Sequence, residues 1–121
     1  MRVFVFPLAT LAVIAGGFSD EPSEAQMRRA FETSLAVQVR NTLDFVAELS
    51  GADAVEKIQQ AGGDRFTIRS FRKLDCRRAR DAGYLCSFTV DIELINGTFE
   101  RLINGRFLPG SFGGLAFTEE A

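Results

Sequence analysis

Cys76 and Cys86, the two cysteines of the chain, are the residues whose type and spacing most directly point to chemistry. Nine residues separate them in the stretch KLDCRRARDAGYLCSF, and the alternatives are a redox pair, half of a metal site and a structural disulfide. Catalytic redox pairs have the tight C-x-x-C spacing, which lowers the pKa of the attacking thiol. Zinc sites need about four ligands from cysteine, histidine or carboxylate groups, and the 121 residues include no histidine. The spacing therefore predicts a structural disulfide, with no metal and no cofactor.

Other residues that could act as catalysts lack partners in the sequence. Histidine is the commonest general base at neutral pH, and without a base the serines cannot be built into a hydrolase triad. Asp91 and Glu93 stand two residues apart, but the pattern around them predicts a solvated strand face rather than a buried pocket. We therefore expect that the protein is not an enzyme.

Basic residues are concentrated between residues 65 and 80, where only Asp75 carries a negative charge. Arg77, Arg78 and Arg80 are expected at the exposed tip of a hairpin, where they would bind an envelope protein or an anionic envelope component. The alternative is an edge strand that uses its charge to discourage pairing with other chains. The net charge of −2 does not favour nucleic acid or another polyanion as the partner of the whole molecule.

The N-terminus has the pattern of a signal peptide. An uncharged, mostly apolar run over residues 3–17 follows Met1-Arg2, and it is short of the roughly 20 residues of a membrane span. The small residues near its end predict a signal peptide over residues 1–17, with cleavage as late as residue 25. An uncleaved anchor or a buried strand is the alternative. Export would place the protein in the periplasm or outside the cell, where disulfides form, and the mature form is not expected to span a membrane.

The first half of the sequence predicts a long helix over residues 22–51 and a short one over residues 52–61. Ser23 and Gln26 match a capping box, and Gly51 suits the C-terminal end of the long helix. At the usual helical rise the long helix spans about 40 Å, more than the width of a small sheet, so its first turns are expected to overhang. The stripe that would face the sheet comprises Met27, Phe31, Leu35, Thr42, Phe45, Val46 and Leu49.

The second half changes to the period of two that is typical of strands. Residues 84–95 alternate between apolar and polar side chains, which predicts a strand with one buried and one wet face. Residues 65–76 fit a strand if a bulge lies near Arg69-Ser70, and the tail 108–117 can add a glycine-interrupted edge strand. We expect an α+β fold, with the two helices packed on a three- to four-stranded antiparallel meander in a single domain, residues 22–118.

The turns predict how the strands pair. Folding about Asp81 pairs the two cysteines and sets Leu74 opposite Phe88. Folding about the strong hairpin signal Asn96-Gly97 pairs Phe88 with Gly105. The same register places Arg101 on the core face near the end of the sheet, with its head group reaching either water or a carboxylate of the long helix. Phe88, Arg101 and Gly105 then border a candidate cavity between helix and sheet, because the missing side chain of Gly105 leaves space.

Residues 71–107 carry the pattern F-x-K-x-x-C … G-Y-L-C-x-F-x-V … N-G … G-R-F. It resembles a family of uncharacterised small exported proteins of proteobacteria. The resemblance implies a helix laid across a curved antiparallel sheet, cystatin-like or nuclear-transport-factor-like in shape, and it implies no catalytic residues. The residues that carry it are Phe71, Lys73, Cys76, Gly83, Tyr84, Cys86, Phe88, Val90, Gly97, Gly105 and Phe107.

These features predict an exported, non-enzymatic module that binds a protein or another component of the cell envelope. The alternative function is a carrier that holds a small apolar or amphipathic ligand between helix and sheet. The two differ in the surface they need: the module needs an exposed binding face, whereas the carrier needs an enclosed cavity.

We predict that the natural protein has lost its first residues and contains an oxidised Cys76–Cys86 pair. The intact mass of the protein from its own host should match a chain that begins between residues 18 and 26, less the mass of two hydrogen atoms. Reduction should add those two hydrogens back. A product that retains Met1 and has two free thiols would contradict both the export and the disulfide.

Overall fold

The computed structural model describes residues 21–110 and 114–120, and the predicted signal peptide lies outside them. Their four strands form one antiparallel sheet in which each strand lies beside the next one along the chain. The first helix packs on one face of this sheet, which we call the inner face, and contacts both edge strands. The expected α+β fold is confirmed, with four strands in the meander. The elements are α1 (Glu24–Ser50), α2 (Ala52–Gln60), β1 (Thr67–Arg78), β2 (Tyr84–Leu94), β3 (Gly97–Pro109) and β4 (Leu115–Glu119).

The start of α1 is capped and tied to the sheet. Ser23 Oγ accepts a hydrogen bond from the backbone N–H of Gln26 at 3.1 Å, and Gln26 Oε1 accepts one from the N–H of Ser23 at 2.9 Å. This is the predicted capping box. Lys73 on β1 donates from its backbone N–H to Glu24 Oε2 at 2.9 Å and from Nζ to the Pro22 carbonyl at 2.8 Å. The first turn of α1 is therefore fixed against the middle of β1.

The C-terminal half of α1 overhangs the sheet, and not the first turns as the sequence predicted. Met27, Ala30 and Phe31 are buried against the inner face, whereas no residue of α1 beyond Phe31 and none of α2 is buried. The reason is that the apolar face of α1 is interrupted after Leu35, because Gln38 and Thr42 occupy the next two positions on the same face. Their polar side chains end the apolar surface that the helix can bury.

Five phenylalanine rings form the centre of the core. Phe88 of β2 is fully buried and stacks on Phe71 of β1, with ring centroids 4.6 Å apart and planes at 22°. The rings of Phe31 and Phe117 meet it edge-on at centroid distances of 5.3 and 5.8 Å, and Phe107 lies at 6.1 Å. Each well-placed aromatic pair adds about 0.5–1.5 kcal/mol beyond the burial of its area. The rings therefore join α1 and all four strands at one point.

The pairing of β1 with β2 follows the sequence in part. Cys76 lies directly opposite Cys86, as predicted, and the expected bulge falls between Ile68 and Ser70. A second bulge at Leu74, between Lys73 and Asp75, was not predicted. It turns Leu74 out of the core, where the sequence had placed it opposite Phe88, and aligns Lys73 with Phe88 instead. The bulge thereby directs Lys73 towards the start of α1, which it binds.

The predicted register of β2 and β3 was wrong by two residues. The turn is formed by Ile95 and Asn96, and Leu94 pairs with Gly97. A hairpin centred on Asn96-Gly97 needs a positive φ at both positions, yet no non-glycine residue of the described chain has one, and Gly97 reaches φ 138° just after the turn. Since the slip is an even number of residues, every side chain keeps its predicted face.

The corrected register gives Gly105 a different neighbour. Cys86, not Phe88, lies opposite Gly105, and β4 brings Phe117 next to Phe107. The ring of Phe117 lies directly over Gly105, so that a Cβ atom placed there would overlap it. Gly105 is thus a glycine because β4 packs its ring onto the backbone of β3.

We predict that Gly105→Ala destabilises the protein by about 1–3 kcal/mol, because the added methyl group must displace the buried Phe117 ring. Urea denaturation, compared with the original chain, measures this change. Gly114→Ala is the matched control, since a Cβ there meets nothing within 4 Å. Equal losses at the two positions would contradict the role assigned to the ring.

Candidate interaction surface

Cys76 and Cys86 form a disulfide between the neighbouring strands β1 and β2. Cys86 is buried beside the phenylalanine cluster, and Cys76 packs against it from the edge strand. Closing a loop of this size removes about 2–3 kcal/mol of chain entropy from the unfolded state. The bridge therefore fastens an edge strand to the core, and both sulfurs are engaged in it.

The three arginines predicted to form one basic surface are exposed but do not share a face. Arg78 lies opposite Tyr84, on the inner side, with its guanidinium 5.6 Å from the centroid of the tyrosine ring and Nη2 3.4 Å from the hydroxyl oxygen. Arg77 precedes it and therefore projects from the outer face. Arg80 lies in the turn that follows β1. A partner bound at this tip meets Arg80 together with one of the other two at a time.

The three residues expected to border a ligand cavity lie in different surroundings. Phe88 is enclosed by the other rings, and the Phe117 ring fills the space beside Gly105. Arg101 lies four residues away along β3, opposite Val90, and is exposed. Its Nη2 lies 3.5 Å from Glu119 Oε2, and its side chain is about half exposed. Of the two expected surroundings, water is therefore present, whereas the carboxylate belongs to β4 and not to the long helix.

Arg106, which the sequence did not single out, binds the turn between β1 and β2. Its Nη1 donates to Asp81 Oδ1 at 2.7 Å and to the Ala82 carbonyl at 3.0 Å, and its Nε lies 3.5 Å from Glu120 Oε2. The hydrogen bond from Arg106 is the main reason why the pKa of Asp81 lies below its ordinary value. The correct strand register is needed to find this contact, because the predicted one moved Arg106 two residues further from the turn.

Large apolar side chains are exposed between residues 94 and 102, a segment that we call the β2–β3 tip. The exposed fractions are 40% for Leu94, 64% for Ile95, 44% for Phe99 and 63% for Leu102. Leu94 and Phe99 lie on the inner side of the hairpin and Leu102 on the outer side, and large apolar side chains that cluster in water are common at contact sites for other molecules. Phe45 and Leu49 on the overhanging part of α1 are exposed as well. The sequence shows that these residues are apolar, but the structure is needed to show which of them α1 covers and which remain exposed to water.

The β2–β3 tip includes a strand edge with no neighbour in the described part of the chain. The short strand β4 pairs only with residues 105–109 of β3, and the Glu120 N–H donates to the Asn104 carbonyl at 3.0 Å. Backbone groups of a strand point alternately to its two sides. Thr98, Glu100 and Leu102 therefore direct their N–H and C=O groups to the same side as Asn104, where no strand of residues 21–110 or 114–120 pairs with them. We call residues 97–103 of β3 the open edge.

The two edges of the sheet differ in how they are protected. The β1 edge has two bulges and a row of basic residues, which are common devices against pairing with another chain. The open edge pairs with β2 without a bulge and contains neither proline nor lysine. Only Glu100 and Arg101 are charged there. One edge of the sheet thus resists a further strand, and the other is able to accept it.

A cavity of about 730 Å³ lies between the second half of α1 and α2. Val39 and Leu43 of α1 face Val55 of α2 across it, and Asp64 borders it after the helices end. The Oδ1 atom of Asp64 is buried without a hydrogen-bond partner among the described residues. The cavity is lined by both apolar and charged groups, so it suits an amphipathic occupant better than a purely apolar one.

In the part of the chain that the structure describes, no helix is long and apolar enough to cross a membrane. The same residues hold no group of three or more histidine, cysteine, aspartate or glutamate side chains placed to bind a metal ion.

The chain matches no family model, no curated protein and no solved structure. Fold and surface together define an α+β protein with a single sheet, one protected edge and one open edge. The resemblance to exported proteobacterial proteins stays a prediction.

We predict that Arg106→Met raises the pKa of Asp81 towards its ordinary value, because the hydrogen bond and the positive charge that lower it are removed. A titration of the Asp81 carboxyl carbon by NMR measures the shift. In the original chain, the stability that this pair contributes is present above the ordinary pKa of an aspartate and is lost as pH falls through the lowered one.

Arg101→Met is the control for this titration, since it removes a guanidinium that pairs with Glu119 and not with Asp81. An Asp81 titration that is the same in the original chain and in Arg106→Met would contradict the assignment of the shift to Arg106.

Proposed function

We propose that the chain is an exported, non-enzymatic module that binds another protein through the β2–β3 tip and the open edge beside it. The observation that carries the proposal is the exposure of Leu94, Ile95, Phe99 and Leu102 next to unpaired strand backbone. Burying one large apolar side chain in a partner contributes about 1.5–3 kcal/mol. Leu94 and Phe99 lie on the inner side of this hairpin and Leu102 on the outer side, so a partner that binds along the open edge can contact both sets.

The exposed tip also makes the free chain prone to aggregation, which a bound partner would prevent. A strand edge without bulges, beside exposed leucine and phenylalanine, is the kind of surface through which proteins aggregate. The opposite edge of the same sheet is protected against this by bulges and basic residues, so the fold has the means to avoid it. The lack of protection at β3 is consistent with a surface that is covered in the working state.

Export is supported by the N-terminal pattern and by the disulfide. The uncharged run over residues 3–17 has the length of a signal-peptide core. The Cys76–Cys86 bridge is compatible with an oxidising compartment such as the periplasm or the extracellular space. The absence of histidine from the sequence argues against a role in acid–base catalysis.

We predict that a photoreactive phenylalanine analogue at position 102 cross-links to a protein in the native host, and that the same analogue at position 72 does not. Leu102 on β3 and Arg72 on β1 both lie opposite Thr89 on the outer face. The two positions are therefore equally far along the sheet and differ in the strand that carries them. The adduct is detected as a mass shift after denaturing purification. Equal adducts at both positions, or none at position 102, would contradict the proposed binding surface.

The alternative, a carrier of a small apolar or amphipathic ligand, is favoured by one observation. The cavity between α1 and α2, with a volume of about 730 Å³, lies in the range of small-molecule sites. It differs in place from the site between helix and sheet that the sequence predicted. A small molecule retained in the native mass spectrum of protein from its own host would favour the carrier, and its absence would favour the binding module.

A further inference from the structure

The open edge has the geometry to accept a strand from another molecule. Thr98, Glu100 and Leu102 present their backbone N–H and C=O groups along one straight side of β3. Extended peptides bind exposed sheet edges in this way, with affinity from backbone hydrogen bonds and specificity from alternate side chains. The added strand would continue the line of β4 and, like β4, would run antiparallel to β3.

The side chains of the open edge alternate between the two faces of the sheet. Phe99 and Arg101 lie on the inner side with Ile103, whereas Glu100 and Leu102 lie on the outer side. A residue of the added strand lies directly opposite each of them and on the same face. The edge therefore displays, in order, an apolar, an acidic, a basic and an apolar position.

A second copy of this chain is a poor occupant of the edge. The two-fold pairing that uses all of residues 97–103 is centred on Glu100 and sets it against the Glu100 of the second copy. The pairing centred on Arg101 opposes two guanidinium groups, and like charges directly opposite each other destabilise a sheet. Pairing about Phe99 leaves Leu102 without a neighbour. The register that would set Glu100 opposite Arg101 of a second copy is not open to it, because the backbone groups of these two residues point to opposite sides of β3. A different chain is therefore needed to match the charges.

We infer that the partner contributes an extended segment with the order apolar–acidic–basic–apolar, which pairs antiparallel with residues 99–102 of β3. Because this pairing is antiparallel, the acidic residue of the segment lies opposite Arg101 and its basic residue lies opposite Glu100. Arg101 already contacts Glu119, but both side chains are about half exposed and a guanidinium has five N–H donors. A second carboxylate can share it. This inference rests on the proposed function, since it names the partner of the same surface.

Two synthetic peptides of equal composition test the inference with the full oxidised chain. One has the core Val-Glu-Lys-Val and the other the core Val-Lys-Glu-Val, both with capped termini and the same flanking threonines. We expect the first to bind about tenfold more tightly, because reversing two cross-strand charge pairs changes both from attraction to repulsion. Isothermal titration calorimetry measures the two affinities. Glu100→Lys should remove the advantage of the first peptide over one with the core Val-Glu-Glu-Val.

Two variants at one position test the backbone pairing. Leu102→Pro removes an N–H that points to the open edge and not to β2, so it should abolish peptide binding while leaving the β2 ladder intact. Leu102→Ala keeps that N–H, and its binding should persist with a weaker affinity. The thermal unfolding of both variants establishes that they are folded.

The outcomes separate this inference from the proposed function. Equal affinities for the two peptides, or binding by neither while the cross-link at position 102 persists, would overturn the strand pairing and leave the binding module in place. Loss of both the peptide binding and the cross-link would overturn both. Sedimentation of the chain as a dimer that Leu102→Pro dissociates would make a second copy the occupant and would overturn the sequence order proposed for the partner.

Discussion

The packing around Phe88 is the interaction on which the rest of the structure depends. This fully buried ring of β2 contacts one phenylalanine from α1 and one from each of the other strands. The part of the long helix that contacts this cluster ends at Leu35, because Gln38 and Thr42 follow on the same face. Beyond that point no residue of α1 is buried, and Phe45 and Leu49 are exposed together with the apolar residues of the β2–β3 tip.

The two edges of the sheet are stabilised in different ways. On the β1 side the disulfide to Cys86, the bulges and the contacts of Lys73 with the start of α1 hold the edge strand without a further neighbour. On the other side β4 is short and covers less than half of β3. The covalent bridge thus ties the β1 edge strand to the buried Cys86 of β2, beside the ring cluster.

Local patterns in the sequence predicted the features that depend on neighbouring residues. The capping box at Ser23, the bulge near Arg69 and the pairing of the cysteines all follow from short-range chemistry, and the structure confirms them. The register of β3 was missed because an Asn-Gly pair is compatible with more than one turn, and the chain turns one residue earlier, at Ile95 and Asn96. The contact of Arg106 with Asp81 was missed with it. The separation of Arg77 from Arg78 follows from strand alternation alone.

The open edge of β3 is a consequence of the core rather than of an accidental strand length. Phe117 packs on Gly105, where any other residue would overlap its ring, and this contact fixes β4 against the last third of β3. A slip of β4 by two residues towards the tip would pair Phe117 with Gly105 and move its ring from Gly105 to Ile103, whose side chain is buried and leaves no such space. The packing that closes the core therefore prevents β4 from covering residues 97–103, and those backbone groups can be paired only by another segment.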